Sequence, residues 1–313
     1  MPVLSSVRRA TLIVNPAAGR ARGLAAEMPA IRMLLEAHGY AVDCIETSAA
    51  DDSARLLSAA AARRSLLVIA CGGDGTVHGA VQGLAHTDAV LGVVPLGTAN
   101  ALARNLGVPL EPVAAVERLL TYTSRRIPLG GVATAAGTRF FAVMAGCGPD
   151  GALVQELSGV GSGRLKARFG RVAYYIHAGR LFWTRRWPGF RVEYRRADSA
   201  EWVSCAAVAV MASRIPDLGG LFSGTTRESR LEQTQLRVQL LRGPAQFAFP
   251  AWMVSGRTGL PNPWLTTVDV AELRCSPMDA RPVYAQGDAE PLGTLPMRLW
   301  IEQEALSLLM PGG

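Results

Sequence analysis

The sequence predicts an α/β N-terminal domain on a parallel sheet, followed by a β-rich, antiparallel, sandwich-like C-terminal domain. Three observations carry this. Early in the chain, short apolar runs alternate at regular intervals with segments of helical spacing. Three of the first four runs end in glycine-bearing turns. After about Ile127 the texture changes to short, β-rich, turn-bounded segments.

In order, "ATLIVN" is a first strand, followed by "PAAGRARG" and the helical spacing of "GLAAEMPAIRMLLEAHG", which closes at His38-Gly39. "YAVDCIET" is a second strand. "SAADDSARLLSAAAARR" is a helix with acids early and arginines late, as the macrodipole prefers. "SLLVIA" is the third strand and "TVHGAVQGLA" its helix. "AVLGVVPLG" is the fourth strand, and "NALARNLG" is a helix stopped by Gly107 and Pro109. Beyond Ile127, "TRFFAVMAGCG", "FRVEYRR", "EWVSCAAVAVMAS" and "QLRVQLLRG" read as strands, interrupted by a helical stretch from Gly170 to Trp187. "MRLWIEQEALSLLMPGG" alternates like a strand pair. The expected boundaries are 1–127 for the α/β domain, 128–298 for the β-rich domain and 299–313 for a tail returning to the first.

The 313 residues are 49% hydrophobic, enough for buried cores, and the net charge of +7 comes nearly all from arginine. That balance favours an anionic partner: a phosphate ligand, an acidic membrane surface or nucleic acid. No RNA- or DNA-binding motif is present, so no nucleic-acid partner is expected. No apolar run has the length of a bilayer span, and the N-terminus lacks the apolar core of a signal peptide. The five cysteines are scattered, without CxxC or zinc spacing, which fits a reducing cytosol. The four histidines form no metal pattern. A homodimer is compatible with the sequence.

The chemistry sits in "NPAAG" (Asn15, Pro16 to Gly19), "GGDGT" (Gly72, Gly73, Asp74, Gly75, Thr76) and "PLGTAN" (Pro95, Gly97, Thr98, Asn100). In an open parallel sheet such turns share the carboxyl edge, where ligands bind as strand order reverses. Each opens a helix, so backbone N–H groups face the crevice, and glycine removes the Cβ that would hold a phosphate away. Asp74 beside phosphates requires a cation: it could hold Mg²⁺ directly, through water or through a network, or it could merely cap a helix. Neither GxGxxG after the first strand nor a P-loop is present.

"NPAAG", "GGDGT" and "PLGTANALAR", in this order, resemble the diacylglycerol kinase catalytic-domain family, which includes bacterial lipid kinases, sphingosine kinases and ceramide kinases. Its fold and GGDG turn are shared more distantly with NAD kinase and phosphofructokinase. "AGCGPDGALV" and "QGDAEPLG" resemble two further segments of that family. The resemblance implies ATP and Mg²⁺, with Asn15, Pro16, Gly19, Thr47, Gly72, Gly73, Asp74, Gly75, Thr76, Gly97, Thr98 and Asn100 at the nucleotide. It implies a catalytic base from Asp288 and Glu290, and a supporting role for Asp150. Two residues apart in extended chain, Asp288 and Glu290 are expected to point the same way. One would take the hydroxyl proton while the other orients the site or helps bind metal.

Three departures stand out. Ala101 follows Asn100 where the family often carries an aspartate. Gln233-Thr234 stands where bacterial members carry an Asp-Gly whose loop holds a structural metal, so another contact is expected to fix that loop. Ala289 replaces a glycine, a mild change unless positive φ is required.

"SGVGSGRLKARFGRVAYYIHAGRLFWTRRW" interleaves Arg164, Lys166, Arg168 and Arg171 with aromatics, as suits an anionic lipid interface; a core helix with a solvated basic face fits the same pattern. The expectation is a cytoplasmic lipid kinase, peripheral at the inner face of the membrane, acting on diacylglycerol or a sphingoid- or ceramide-like lipid. Two readings stand beside it: a kinase of a soluble hydroxyl acceptor, and a catalytically weak lipid-binding or regulatory homologue.

Overall fold

The computed structural model describes residues 8–48, 53–159, 186–218, 226 and 228–312. The chain divides into two units, one of residues 1–129 and 303–313, the other of residues 130–302. The basic and aromatic segment around Arg164, Lys166, Arg168 and Arg171, with most of the helix expected from Gly170, lies outside the described residues.

The first unit alternates β1 (Arg8–Val14), α1 (Ala21–Ala37), β2 (Tyr40–Glu46), α2 (Ser53–Ala62), β3 (Leu67–Gly72), α3 (Asp74–Leu84) and β4 (Val90–Pro95), then α4 (Ala101–Asn105) and α5 (Pro112–Leu120). All six residues of β3 are buried, which is why its run shows no alternation: both faces are covered. β1 pairs in parallel with β2 on one side and β3 on the other, and β3 pairs with β4. The order β2-β1-β3-β4 therefore reverses between β1 and β3.

The glycines of "TVHGAVQGLA" bring two helices together. A Cβ on Gly79 would lie 2.7 Å from the Ala54 Cβ, and one on Gly83 would lie 2.4 Å from the Arg55 carbonyl. Packing of α3 on α2 thus compensates for glycine's poor helix propensity. α5 starts with proline in its first turn and has its Val113 N–H taken by Glu27 of α1 at 2.9 Å.

Chain continuity between the units runs through β5 (Thr123–Thr134) and β15 (Met297–Met310). β15 is one long strand rather than the expected pair. Its alternation of buried and exposed residues gives way near Glu304 (φ +46°) to a nearly continuous buried run. That last run pairs in parallel with β4 at Ser307 and Leu308. Arg126 fastens it, donating to the Glu304 carbonyl at 2.6 Å and to the Thr87 carbonyl at 2.7 Å.

The second unit adds β6 (Gly137–Phe141), β7 (Met144–Cys147), α6 (Pro149–Gly159), β8 (Phe190–Arg196), β9 (Trp202–Ala207), β10 (Ala209–Ser213), β11 (Leu236–Leu241), α7 (Ala245–Thr258), β12 (Leu265–Pro277), β13 (Tyr284–Gly287) and β14 (Glu290–Thr294). Its ladder β14-β13-β7-β10-β11-β12-β15 is antiparallel, with β8 and β9 branching from β12. Phe141, Phe190, Val210, Leu273 and Leu299 fill its main core. α7 packs a second cluster around Trp252, whose indole N–H reaches Gln239 at 2.9 Å. The α/β half with a parallel sheet and the antiparallel, strand-rich half are thus the expected fold class.

Candidate active site

Parallel pairing aligns the carboxyl ends of β1, β2, β3 and β4: Val14 opposes Glu46 and Cys71, and Gly72 opposes Pro95. The three glycine turns follow β1, β3 and β4, so all lie on this edge and the first two flank the reversal of strand order. Pro16, Gly19, Gly75 and Thr98 are exposed there. Thr47, just past β2, is buried and donates its N–H to Val14 at 2.7 Å.

Much of the turn chemistry is spent within the protein. Asn15 donates from its amide to the Thr76 hydroxyl at 3.1 Å, while its side-chain oxygen accepts the Ala17 N–H at 2.9 Å. Asn100, left-handed at φ +48°, brackets Gly97: its oxygen accepts the Gly97 N–H at 2.9 Å and its amide donates to the Gly97 carbonyl at 2.8 Å. Both asparagines shape their turns through these contacts.

The glycines have a reason beyond access to phosphate. A Cβ on Gly97 would stand 2.5 Å from the Gly73 Cα, and one on Gly72 would stand 2.3 Å from the Thr76 hydroxyl oxygen. The second and third turns touch main chain to main chain, and only glycine permits it.

Asp74 occupies the first turn of α3, yet its carboxylate leaves its own helix. Oδ2 accepts the Asn100 N–H at 3.0 Å and Oδ1 the Ala101 N–H at 2.7 Å. Asp74 therefore caps α4 by taking the N–H groups of Asn100 and Ala101. This corrects the expectation that all three turns offer free N–H groups. The N-terminus of α3 is different: its first helical bond runs from Val77 to Gly73, so the N–H groups of Asp74, Gly75 and Thr76 precede the intrahelical ladder. The Ala101 side chain takes no part in the contact to Asp74, which is made by its backbone.

In the second unit, Asp288 and Ala289 join β13 to β14 as a two-residue hairpin, with Gly287 opposite Glu290 and both central residues at positive φ, +49° and +65°. This is the geometry of a type I′ turn, not the extended chain expected of Asp288 and Glu290. Asp288 is only 7% exposed, and three successive main-chain N–H groups converge on it. Ala142 donates to Oδ2 at 2.9 Å; Val143 and Met144 donate to Oδ1, each at 2.9 Å. The Asp288 N–H returns to the Met144 carbonyl at 2.8 Å. Asp288 is thus a clamp on the approach to β7, and Glu290, half-buried at the start of β14, is the carboxylate of the pair outside that clamp.

Asp150 stands at the start of α6. Burial pushes its carboxyl up to about 6, with the Gln286 amide and nearby backbone N–H groups opposing the shift. Gln286, 2% exposed and unremarked in the sequence, joins the two motifs: Nε2 donates to Asp150 at 3.1 Å and Oε1 accepts the Ala289 N–H at 3.1 Å.

The stretch around Gln233 is held by amides and a guanidinium. The Gln233 side chain accepts the Arg230 N–H at 3.0 Å and donates to the Glu228 carbonyl at 3.1 Å. Arg214 donates to the carbonyls of Leu231 and Gln233. No local sequence signal announces Arg214, which follows an apolar strand where arginine usually meets solvent. Among the described residues no three His, Cys, Asp or Glu side chains gather as a metal centre, and no helix is long and apolar enough to cross a membrane.

The diacylglycerol kinase catalytic domain, as a family profile, matches residues 9–132. The diacylglycerol kinase of Bacillus subtilis (strain 168) is 32% identical over 191 residues, covering 60% of this chain and 60% of its own. That of Mycobacterium tuberculosis (strain ATCC 25618 / H37Rv) is 32% identical over 174 residues, 54% of each. The aligned region thus spans about three-fifths of the length of the curated relative from B. subtilis. A crystal structure of a diacylglycerol kinase from Bacillus anthracis str. Sterne matches with a TM-score of 0.73 at 19% identity, covering 97% of both chains, a likeness of fold. The matched residues 9–132 contain all three glycine turns and the contact of Asp74 with Ala101, and over that stretch the chain is similar to the diacylglycerol kinase catalytic domain.

Proposed function

We propose that this chain is an ATP-dependent lipid kinase that moves the γ-phosphoryl group of Mg·ATP to a lipid hydroxyl, that of diacylglycerol or of a sphingoid- or ceramide-like alcohol. One observation carries the reading. The N-terminus of α3, with Gly73 against Gly97 and Gly75 exposed, bares backbone N–H groups at the reversal of strand order. The names of the curated relatives support a lipid as acceptor.

Asp74 fits a hydrated Mg²⁺, since each of its oxygens accepts one N–H and keeps acceptor capacity. Mg²⁺ retains waters and phosphate oxygens and needs few protein ligands. Bound there, it would neutralise phosphate charge. Glu290 accepts the proton of the attacking hydroxyl, and the Asp288 clamp fixes the hairpin that carries it. The basic residues Arg164, Lys166, Arg168 and Arg171 bring the chain to an anionic membrane surface from the cytoplasmic side.

The test is transfer of label from γ-labelled ATP to a panel of diacylglycerol, sphingosine, ceramide and isoprenoid alcohols in mixed micelles. Label in one lipid class is the expected result. ATP binding without transfer to any acceptor would favour the regulatory homologue, and label only on soluble alcohols would overturn the lipid reading. Reversing the charges of Arg164, Lys166 and Arg168 should reduce co-sedimentation with anionic vesicles; undiminished sedimentation would remove the interfacial role.

A further inference from the structure

We propose that Arg214 is a positioning residue that couples the segment 228–233 to the Asp288 clamp, and through it to the hairpin bearing Glu290. The proposal rests on the kinase reading only for its consequence on turnover; the coupling itself is a property of the second unit.

Arg214 follows directly on β10 and is 1% exposed. A guanidinium at that depth is costly unless hydrogen bonds and an opposite charge compensate. Burial lowers its proton affinity and the Asp288 carboxylate raises it, so Asp288 supplies opposing charge. Its donors reach the other way, to the carbonyls of Leu231 and Gln233. Those carbonyls belong to a segment whose turns close locally, Ser229 N–H to Thr226 and Gln233 N–H to Arg230. The planar fork of arginine suits two carbonyls of one bend, which the point charge of lysine would not bridge alike.

The backbone completes the link. The Arg214 N–H donates to the Val143 carbonyl at 2.9 Å, and the Val143 N–H donates to Asp288 Oδ1 at 2.9 Å. On the C-terminal side, the Ser213 hydroxyl spans Arg214 to the Ile215 carbonyl at 3.0 Å. One residue therefore touches the segment 228–233 with its side chain and the clamped bend at Val143 with its main chain, and its charge lies within the electrostatic reach of the clamp's carboxylate. Displacement of the segment pulls on the cation that compensates Asp288, and the Asp288–Ala289 turn carries Glu290 in the next position.

Hydrogen exchange of backbone amides, read with turnover, tests this on the intact chain. In Arg214→Met, amides of Ser229 and Gln233 and of Ala142, Val143 and Met144 should all exchange about tenfold faster or more, while Val238 and Leu240 in β11 keep wild-type rates. In Arg214→Lys, which keeps the charge but not the fork, residues 142–144 should return to within about threefold of wild type while Ser229 and Gln233 stay fast. kcat should fall about tenfold in Arg214→Met with KM for ATP within about twofold. Wild-type exchange at 142–144 in Arg214→Met would overturn the coupling, as would Arg214→Lys exchanging there as fast as Arg214→Met. If Arg214→Met unfolds, the lysine variant decides. If the wild type transfers no phosphoryl group, the kinase reading fails and the exchange rates still judge the coupling.

Discussion

Asp74 and Ala101 meet across two turns: the Ala101 N–H lies 2.7 Å from Asp74 Oδ1, and the neighbouring Asn100 N–H lies 3.0 Å from Oδ2. An acid in the first turn of one helix thus caps the start of another and ties the second glycine turn to the third. Asp74→Asn replaces one acceptor with an amide that faces an N–H donor. Chemical denaturation should show a loss of about 1–3 kcal/mol. Unchanged stability would mean that the cap contributes nothing.

Ala289 sits at φ +65°, a conformation that costs a non-glycine residue. Ala289→Gly relieves that strain and increases the entropy of the unfolded chain, and the first effect is the larger. The expected result is a gain of about 1 kcal/mol, measured by urea unfolding. A loss would show that the hairpin holds alanine without strain.

Much of the first unit could be read from sequence because its signals are local. The uninterrupted run at Leu67–Gly72 is a strand covered on both faces, and helical spacing before and after it requires a crossover. The rest was hidden for physical reasons. Asp288-Ala289 is not a usual hairpin dipeptide, since Ala289 stands at positive φ where Asp-Gly would place glycine. α7 carries Pro250 in its interior, against its propensity, and is held by burial of Trp252. Gly151 lies in the first turn of α6, where a Cβ would meet the Tyr284 carbonyl at 2.1 Å. The acceptance of Gly97 by Gly73, and the roles of Gln286 and Arg214, join residues distant in sequence and leave no local trace.

Asp150 makes stability depend on pH. Its folded-state value, about 6, lies above the ordinary 3.8, so the folded form holds the proton more tightly than the unfolded form. The stabilisation from protonated Asp150 is complete below about pH 4 and is lost as pH rises through about 6. Asp150→Asn removes this dependence. The stability difference, variant minus wild type, should rise by about 2 kcal/mol between pH 4 and 7, followed by thermal unfolding across that range. A difference independent of pH would show that Asp150 does not titrate there.

Glu290 and Asp288 should separate cleanly on substitution. Glu290→Gln should lower kcat by about 10²–10⁴-fold while the melting temperature stays near that of the wild type. Asp288→Asn turns one acceptor of the clamp into a donor facing main-chain N–H groups, and should cost about 1–3 kcal/mol or more of stability. Full activity in Glu290→Gln would move the base elsewhere.

The account depends most on phosphate binding at the start of α3. Gly75 is exposed there, and an aspartate in the first turn of a helix is favourable to the fold. Calorimetric titration of Mg·ATP into the wild type and Gly75→Asp is therefore the most direct measurement. The account predicts binding by the wild type and an affinity at least about tenfold weaker in Gly75→Asp, with the melting temperature undiminished. Equal affinity in the two proteins would contradict it.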